Sequence, residues 1–408
     1  MNQRAAEIVL QIARIGRDHP AVPPLDQVEP LEHYFANGAL HASGLDKRDG
    51  CCTRREVLTR FLLLLAVLDQ GPDITGLRDM LIRMTNALYR REVRFIHRPE
   101  DLFQSIGLAV DLLIRSHQSV RAIRADIWAQ ENFSSPSRYN LLQYDRNVTK
   151  PLHYLVARWG VPLLLPLFLS QDPFPVAPLD QIHRLENPTL LLDYLEQWPS
   201  AEIMSRQLKE HPRYGLGKAI GDKACHLFTK WLVSTYRLTR RVEDPGWSDF
   251  SYEVPYDSNA GRVLWRTGYL LLWGDEHYYE RKGVIRRREG KGGSDYLRVT
   301  RIRGLGSVTP LSAQEEKIYK ALVLQYLKTH QKPPQKTEIQ RIQHIYLLDY
   351  SLHHPEDKLT VAHFDDGLMY VGTRYCLNHD QPRCEGCPLQ DVCVGYQERP
   401  ELISRYRT

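Results

Sequence analysis

Long hydrophobic runs are missing from this chain. The longest, Phe61 to Leu68 (FLLLLAVL), is eight residues, far below the roughly 20 needed to cross a bilayer as a helix. The mixed stretch LVARWGVPLLLPLFL (155–169) contains Arg158 and two prolines, so it reads as a buried helix pair. MNQRAAEIVLQIARIG, at the start, has no apolar signal core and no small-residue cleavage site, so a secretory leader is not expected. Strand-like alternation is scarce, and neither a long repeat nor a low-complexity tract is present. Cysteine is sparse too: seven in all, four of them between 376 and 393. That distribution does not suit the disulfide framework of a secreted protein. The expectation is a soluble, cytoplasmic protein with no membrane partner.

What is present is mostly helical pattern. Apolar residues recur at helical spacing in 2–16, 55–68, 76–90, 101–115, 188–196, 219–236, 260–273 and 313–328. Proline-rich punctuation at 19–30 and 171–180, and the stretch 328–338, read as loops. Hydrophobic residues at 42% and charged residues at 25% of 408 are ordinary for a globular chain of two or three domains. The fold class expected is all-α with insertions.

The net charge of +5 is unevenly spread. Residues 281–303 (RKGVIRRREGKGGSDYLRVTRIR) hold nine Lys and Arg against Glu289 and Asp295, so the basic surplus of the whole chain lies there. Strand-compatible residues flank Gly290-Lys291-Gly292-Gly293, which predicts a small inserted β-hairpin. Its arginines Arg286, Arg287 and Arg288 either form a solvated charged face or contact nucleic-acid phosphates.

The four clustered cysteines are spaced Cys376-x7-Cys384-x2-Cys387-x5-Cys393. A structural zinc and a [4Fe–4S] cluster both take four thiolates. Zinc ribbons present two close pairs, whereas here a single close pair lies between two unevenly spaced outer cysteines. That pattern suits a cluster wrapped by one short loop. Pro382 and Pro388 stiffen the loop, and Gly386 permits a tight turn between the central ligands.

GTRYCLNHDQPRCEGCPLQDVC (372–393) resembles the C-terminal cluster loop of the endonuclease III and MutY DNA glycosylases, of the helix-hairpin-helix superfamily. The match includes the Pro382-Arg383-Cys384 step. The first gap is one residue longer than the family's. VPYDSNAGRVLWRTG (254–268) resembles the family's segment bearing the catalytic aspartate; Asp257 falls on that residue and Arg262 on the following DNA-contacting arginine. Read alone, an aspartate just before a helix can also be a simple N-cap. RYGLGKAIGDKACHLFTKWLV (213–233) resembles the DNA-binding hairpin and its second helix. If Gly215-Leu216-Gly217 is the turn, Lys218 follows it and Ala219 takes the place of the Schiff-base lysine. If Ala219-Ile220-Gly221 is the turn, Lys223 takes that place. In 56–84, Gln70 matches the residue inserted into the duplex, against the alternative of a polar loop between core helices.

The resemblance touches both ends and the middle of the chain; about 100–200 and 275–345 have no counterpart. It implies a two-domain glycosylase fold: 1–54, an N-terminal helix and linker packing with the cluster domain; 55–256, a helical barrel with the hairpin motif; and 257–408, the aspartate helix, basic hairpin and cluster loop. The implied protein is a monomer that flips and excises a damaged or modified base from double-stranded DNA, with Asp257 catalytic. AP-lyase activity would follow if Lys223 reaches the sugar. The chain ends fifteen residues after Cys393, which counts against the adenine-mismatch activity of MutY. Alternatives are a glycosylase for the hypermodified bases of bacteriophage DNA, acting in defence, a non-catalytic iron–sulfur DNA-binding protein, and a zinc-stabilised adaptor.

Overall fold

In the computed structural model of the chain, the residues described are 2–21, 55–56, 58–63, 65–66, 90, 92, 170–171, 174–175, 190–210, 222–272, 274–281, 285–289, 295–299, 342–379 and 381–407. They are predominantly helical, with a few short strands. Among them no helix is long and apolar enough to cross a membrane. The chain divides into two compact units, 1–22 with 242–408, and 23–241. These boundaries differ from the expected 54/55 and 256/257.

In the first unit, α1 (Gln3–Asp18) carries a stripe of Ala5, Ile8, Val9, Ile12, Ala13, Ile15 and Gly16, all buried. The 3-and-4 spacing places them on one helix face. Asn2 caps the helix by accepting from the Ala5 amide at 3.1 Å. That face packs on α8 (Val361–Arg374), whose cap is Thr360. Two glycines set the approach. A Cβ on Gly16 would lie 1.8 Å from the His363 carbonyl oxygen, and one on Gly367 would lie 1.9 Å from that of Ile12. The backbones meet where no side chain fits.

Between these helices in sequence lie α5 (Ser258–Arg266), α6 (Glu276–Arg281) and α7 (Ile342–His353). Helix α5 also packs on α8. Trp265 of α5 meets Tyr279 of α6 edge-on, with ring centroids 5.5 Å apart. Two short helices, α9 (Val394–Gln397) and α10 (Glu401–Arg405), follow the cysteine loop. Strands β3 (Ile285–Glu289) and β4 (Asp295–Val299) pair antiparallel, forming the hairpin expected from the basic segment. The Gly-rich tip lies outside the described residues. A strand the sequence did not reveal, β5 (Tyr406–Arg407), pairs parallel with β4.

The second unit contains β1 (Ser170–Gln171) and β2 (Phe174–Pro175), a short antiparallel pair within a stretch expected to be loop. It also contains α2 (Leu191–Glu196), α3 (Ala201–Glu210) and α4 (Asp222–Lys230). Leu191, Leu195, Met204, Phe228 and Trp231 are buried there, as are Phe61 and Leu62 of the helical stretch within 55–66. Glu56, 1% exposed, accepts from the amides of Leu191 at 2.7 Å and Leu192 at 3.2 Å. A buried carboxylate there satisfies two of the amides that open α2. Arg60 completes the arrangement, its Nε 2.7 Å from Glu56 Oε1.

Candidate functional site

The site is built around α5. Asp257 is its N-cap: the backbone is extended at φ −125°, and Oδ1 accepts from the Ala260 amide at 2.9 Å. A carboxylate has two oxygens and several lone pairs, so one capping bond leaves the group able to interact further. The side chain is half-buried.

One and two turns on, Arg262 and Arg266 stand at i and i+4, on the same helix face. Both are buried, at 2% and 1% exposure. Arg262 donates from Nε to the Cys376 carbonyl at 2.6 Å, and from Nη2 to the Gly372 carbonyl at 2.8 Å and Asn259 Oδ1 at 2.6 Å. Burial lowers its pKa from the ordinary arginine value, with the Cys376 side opposing the shift. Arg266 donates from Nη1 to the Leu377 carbonyl at 2.8 Å and from Nη2 to that of His379 at 2.9 Å. Its Nη1 also lies 3.6 Å from Cys376 Sγ. The helix that presents Asp257 is thus bonded along its length to the start of the cysteine loop.

Arg262, which the resemblance places on DNA, is here buried and bonded within the chain. A guanidinium buried and bonded to the carbonyls of Gly372, in α8, and Cys376, in the loop, is a brace from α5 to the end of α8 and the start of the loop. Arg266, absent from the sequence reading, is its companion. The signal was an arginine pair at i, i+4 on a helix otherwise buried.

The four cysteines line one pocket of about 380 Å³, counted with its solvent-open mouth, together with Arg266 and Tyr375. The loop's turns are backbone-bonded: the Arg383 amide to the Tyr375 carbonyl, Cys387 to Cys384, and Gln390 to Cys387. Gly386 has φ 76°, the left-handed conformation that its place between the central cysteines demands. At the far end Cys393 Sγ lies 3.4 Å from the Arg266 carbonyl oxygen, and the Val394 amide donates to Thr267. Burial raises the thiol pKa of Cys384, that of Cys387 to about 12 and that of Cys393 to about 11. A bound cation reverses this, because a coordinating thiol is deprotonated outright.

Among the described residues no three His, Cys, Asp or Glu side chains are gathered so as to hold one metal ion. Four thiolates on a single zinc would stand about 3.8 Å apart, from a Zn–S bond of about 2.3 Å. A four-iron cubane takes one thiolate per iron and accepts a wider quartet. Four thiols around one pocket, with a buried guanidinium alongside, are a donor set that either group would take.

The remaining expected site residues are distributed as follows. Lys223 lies in α4 of the second unit and is half-buried. Arg286, Arg287 and Arg288 lie in β3. Gln70, Gly215, Gly217, Lys218 and Gly221 lie outside the described residues. No family model, no curated protein and no solved structure matches this chain.

Proposed function

We propose that this chain is a DNA glycosylase with a two-domain helix-hairpin-helix fold, with Asp257 as its catalytic carboxylate and a [4Fe–4S] cluster held by Cys376, Cys384, Cys387 and Cys393. The observation that carries the reading is α5. It has the candidate aspartate at its N-cap and two buried arginines holding the cysteine loop. Two features that the resemblance identified separately in the sequence are thereby joined by one rigid element.

When bound, the cluster would supply fixed shape and charge to the loop rather than acid–base chemistry. The chain's own residues would do the rest. The target base must leave the stack before its sugar is reachable, at a cost of a few kcal/mol. Phosphate contacts offset that cost. Breaking the N-glycosidic bond develops positive charge on the deoxyribose. A carboxylate fixed by its own helix stabilises that charge without reorganising, and can accept a proton from the attacking water. If the amine of Lys223 attacks in place of water, a Schiff base forms and strand cleavage by β-elimination follows.

The test is incubation with a panel of duplexes, each with one oxidised, alkylated or hypermodified base, followed by alkali. Strand cleavage at the modified position of at least one duplex is expected. No cleavage across a broad panel, with intact DNA binding, would replace the reading with a non-catalytic DNA-binding protein.

A further inference from the structure

The four cysteines of the loop are not held alike. Cys376 is fixed on several sides: its amide donates to the Val371 carbonyl of α8 at 2.8 Å, its carbonyl accepts from Arg262, and its sulfur lies 3.6 Å from Arg266 Nη1. Cys393 closes the loop on α5, its sulfur 3.4 Å from the Arg266 carbonyl oxygen. The amides of Gly395 and Tyr396 face that sulfur as donors. The Leu389 amide faces the sulfur of Cys387 in the same way, and Leu389 is itself buried. Among the described residues Cys384 has no such attachment. Its amide donates to the Pro382 carbonyl at 2.9 Å and its carbonyl accepts from the Cys387 amide at 3.0 Å, both within the loop. A tie to the end of α8 lies one residue away, from the Arg383 amide to the Tyr375 carbonyl at 2.9 Å. Among the described residues no N–H is directed at the Cys384 sulfur; Arg266 acts on it through charge, while the hydrogen bond of that guanidinium goes to Cys376. Arg383, Glu385 and Gly386 around it are exposed. A Cβ on Gly386 would meet nothing within 4 Å among the described residues, so the turn after Cys384 faces open space.

We propose that Cys384 is the reactive corner of the four-thiolate site, the position at which a soft electrophile modifies the loop and opens it. The proposal rests on the reading that the four cysteines hold one metal group, and it is the same for an iron–sulfur cluster and for zinc. Outer-shell hydrogen bonds hold a ligating sulfur in place and draw on its electron density. A sulfur that lacks them keeps a more available electron pair, and a partly exposed thiolate is the nucleophile of cysteine chemistry. With an alkyl halide the step balances within the pair of reactants. The Cys384 sulfur forms a bond to carbon, the halide leaves with the electrons of the carbon–halogen bond, and the thiolate becomes a neutral thioether that lets go of the metal. The site is then left with three thiolates. Because α5 is bonded to the two ends of the same loop, such a modification would unseat the element that presents Asp257.

The experiment uses the full, metal-loaded chain. Native protein is pulsed with limiting iodoacetamide, then denatured, and the remaining thiols are capped with an isotopically heavy form of the reagent. Mass spectrometry of the peptides gives the initial rate at each cysteine, and metal release is followed in the same samples. Cys384 should react first, with Cys376, Cys387 and Cys393 slower by about tenfold, the factor that one hydrogen bond to a charged group is worth. Metal should leave at the rate at which Cys384 is modified. Cys225, 1% exposed in the second unit, should stay unmodified and so reports that the chain has not unfolded. Equal initial rates at the four loop cysteines, or a faster rate at any of the other three, would overturn the proposal. So would metal retained by protein modified at Cys384, or Cys225 reacting as fast as Cys384, which would mark the reaction as that of unfolded chain. Protein that holds no metal after reconstitution with iron and sulfide or with zinc would defeat the four-thiolate reading itself, and the proposal with it.

Discussion

Replacing Arg262 by Ala separates a brace from a DNA contact. The substitution removes hydrogen bonds to the Cys376 carbonyl at 2.6 Å, the Gly372 carbonyl at 2.8 Å and Asn259 Oδ1 at 2.6 Å. The site is 2% exposed, so water does not readily replace the lost donors. Leaving two backbone carbonyls unsatisfied costs about 1–3 kcal/mol each. Part of this is returned, because burial disfavours the charged guanidinium, as its lowered pKa indicates. A net loss of about 3 kcal/mol follows. In a unit of this size that lowers the melting temperature by roughly 6–12 °C, at about 2–4 °C per kcal/mol. Thermal melting by circular dichroism, with iron assayed on the same samples, reads both consequences: a lower midpoint and less retained iron. The slope of DNA affinity against salt should stay at the wild-type value in the folded fraction. A variant that melts like wild type, keeps its iron and loses a phosphate contact would refute the brace and restore Arg262 to the DNA interface.

Gly367→Ala should destabilise the first unit by about 1–3 kcal/mol or more, seen as a lower denaturation midpoint, because its Cβ would meet the Ile12 carbonyl oxygen at 1.9 Å. Asp257→Asn keeps a capping oxygen for the Ala260 amide and should leave melting nearly unchanged, whereas Asp257→Ala should cost about 1 kcal/mol. Both should lower base excision by orders of magnitude if the carboxylate faces the developing sugar cation. Borohydride trapping should give a covalent protein–DNA adduct only if an amine attacks the sugar; loss of the adduct in Lys223→Gln would assign that amine.

The parts of the molecule legible in the sequence were those with local signals. Helix α1 was visible in its apolar period, the hairpin in its strand-compatible flanks and glycine tip, and the Asp257 cap in its position before a helical run. Helix α8 was not. Its VAHFDDGLMYVGTR contains two aspartates and two glycines, which weaken a helical pattern. Gly367 serves the approach of α1, a tertiary reason invisible locally. Strand β5 is two residues long and has no period to read; only its pairing with β4, a hundred residues earlier, defines it. The role of Arg266 was hidden for the same reason, since its partners Leu377 and His379 are remote in sequence. The gathering of four cysteines in one loop was readable from spacing, but the attachment of that loop to α5 was not.

Because the functional reading hangs on the cysteine loop, the metal content of the intact protein tests it most directly. The full chain, purified without oxygen, should be yellow-brown and contain about four irons per chain, with acid-labile sulfide in equal amount. Cys384→Ser or Cys387→Ser should abolish the colour, while Cys51→Ser should not. A colourless protein with one zinc per chain, or with no metal and an unchanged melting temperature in Cys384→Ser, would contradict the cluster and the glycosylase reading built on it.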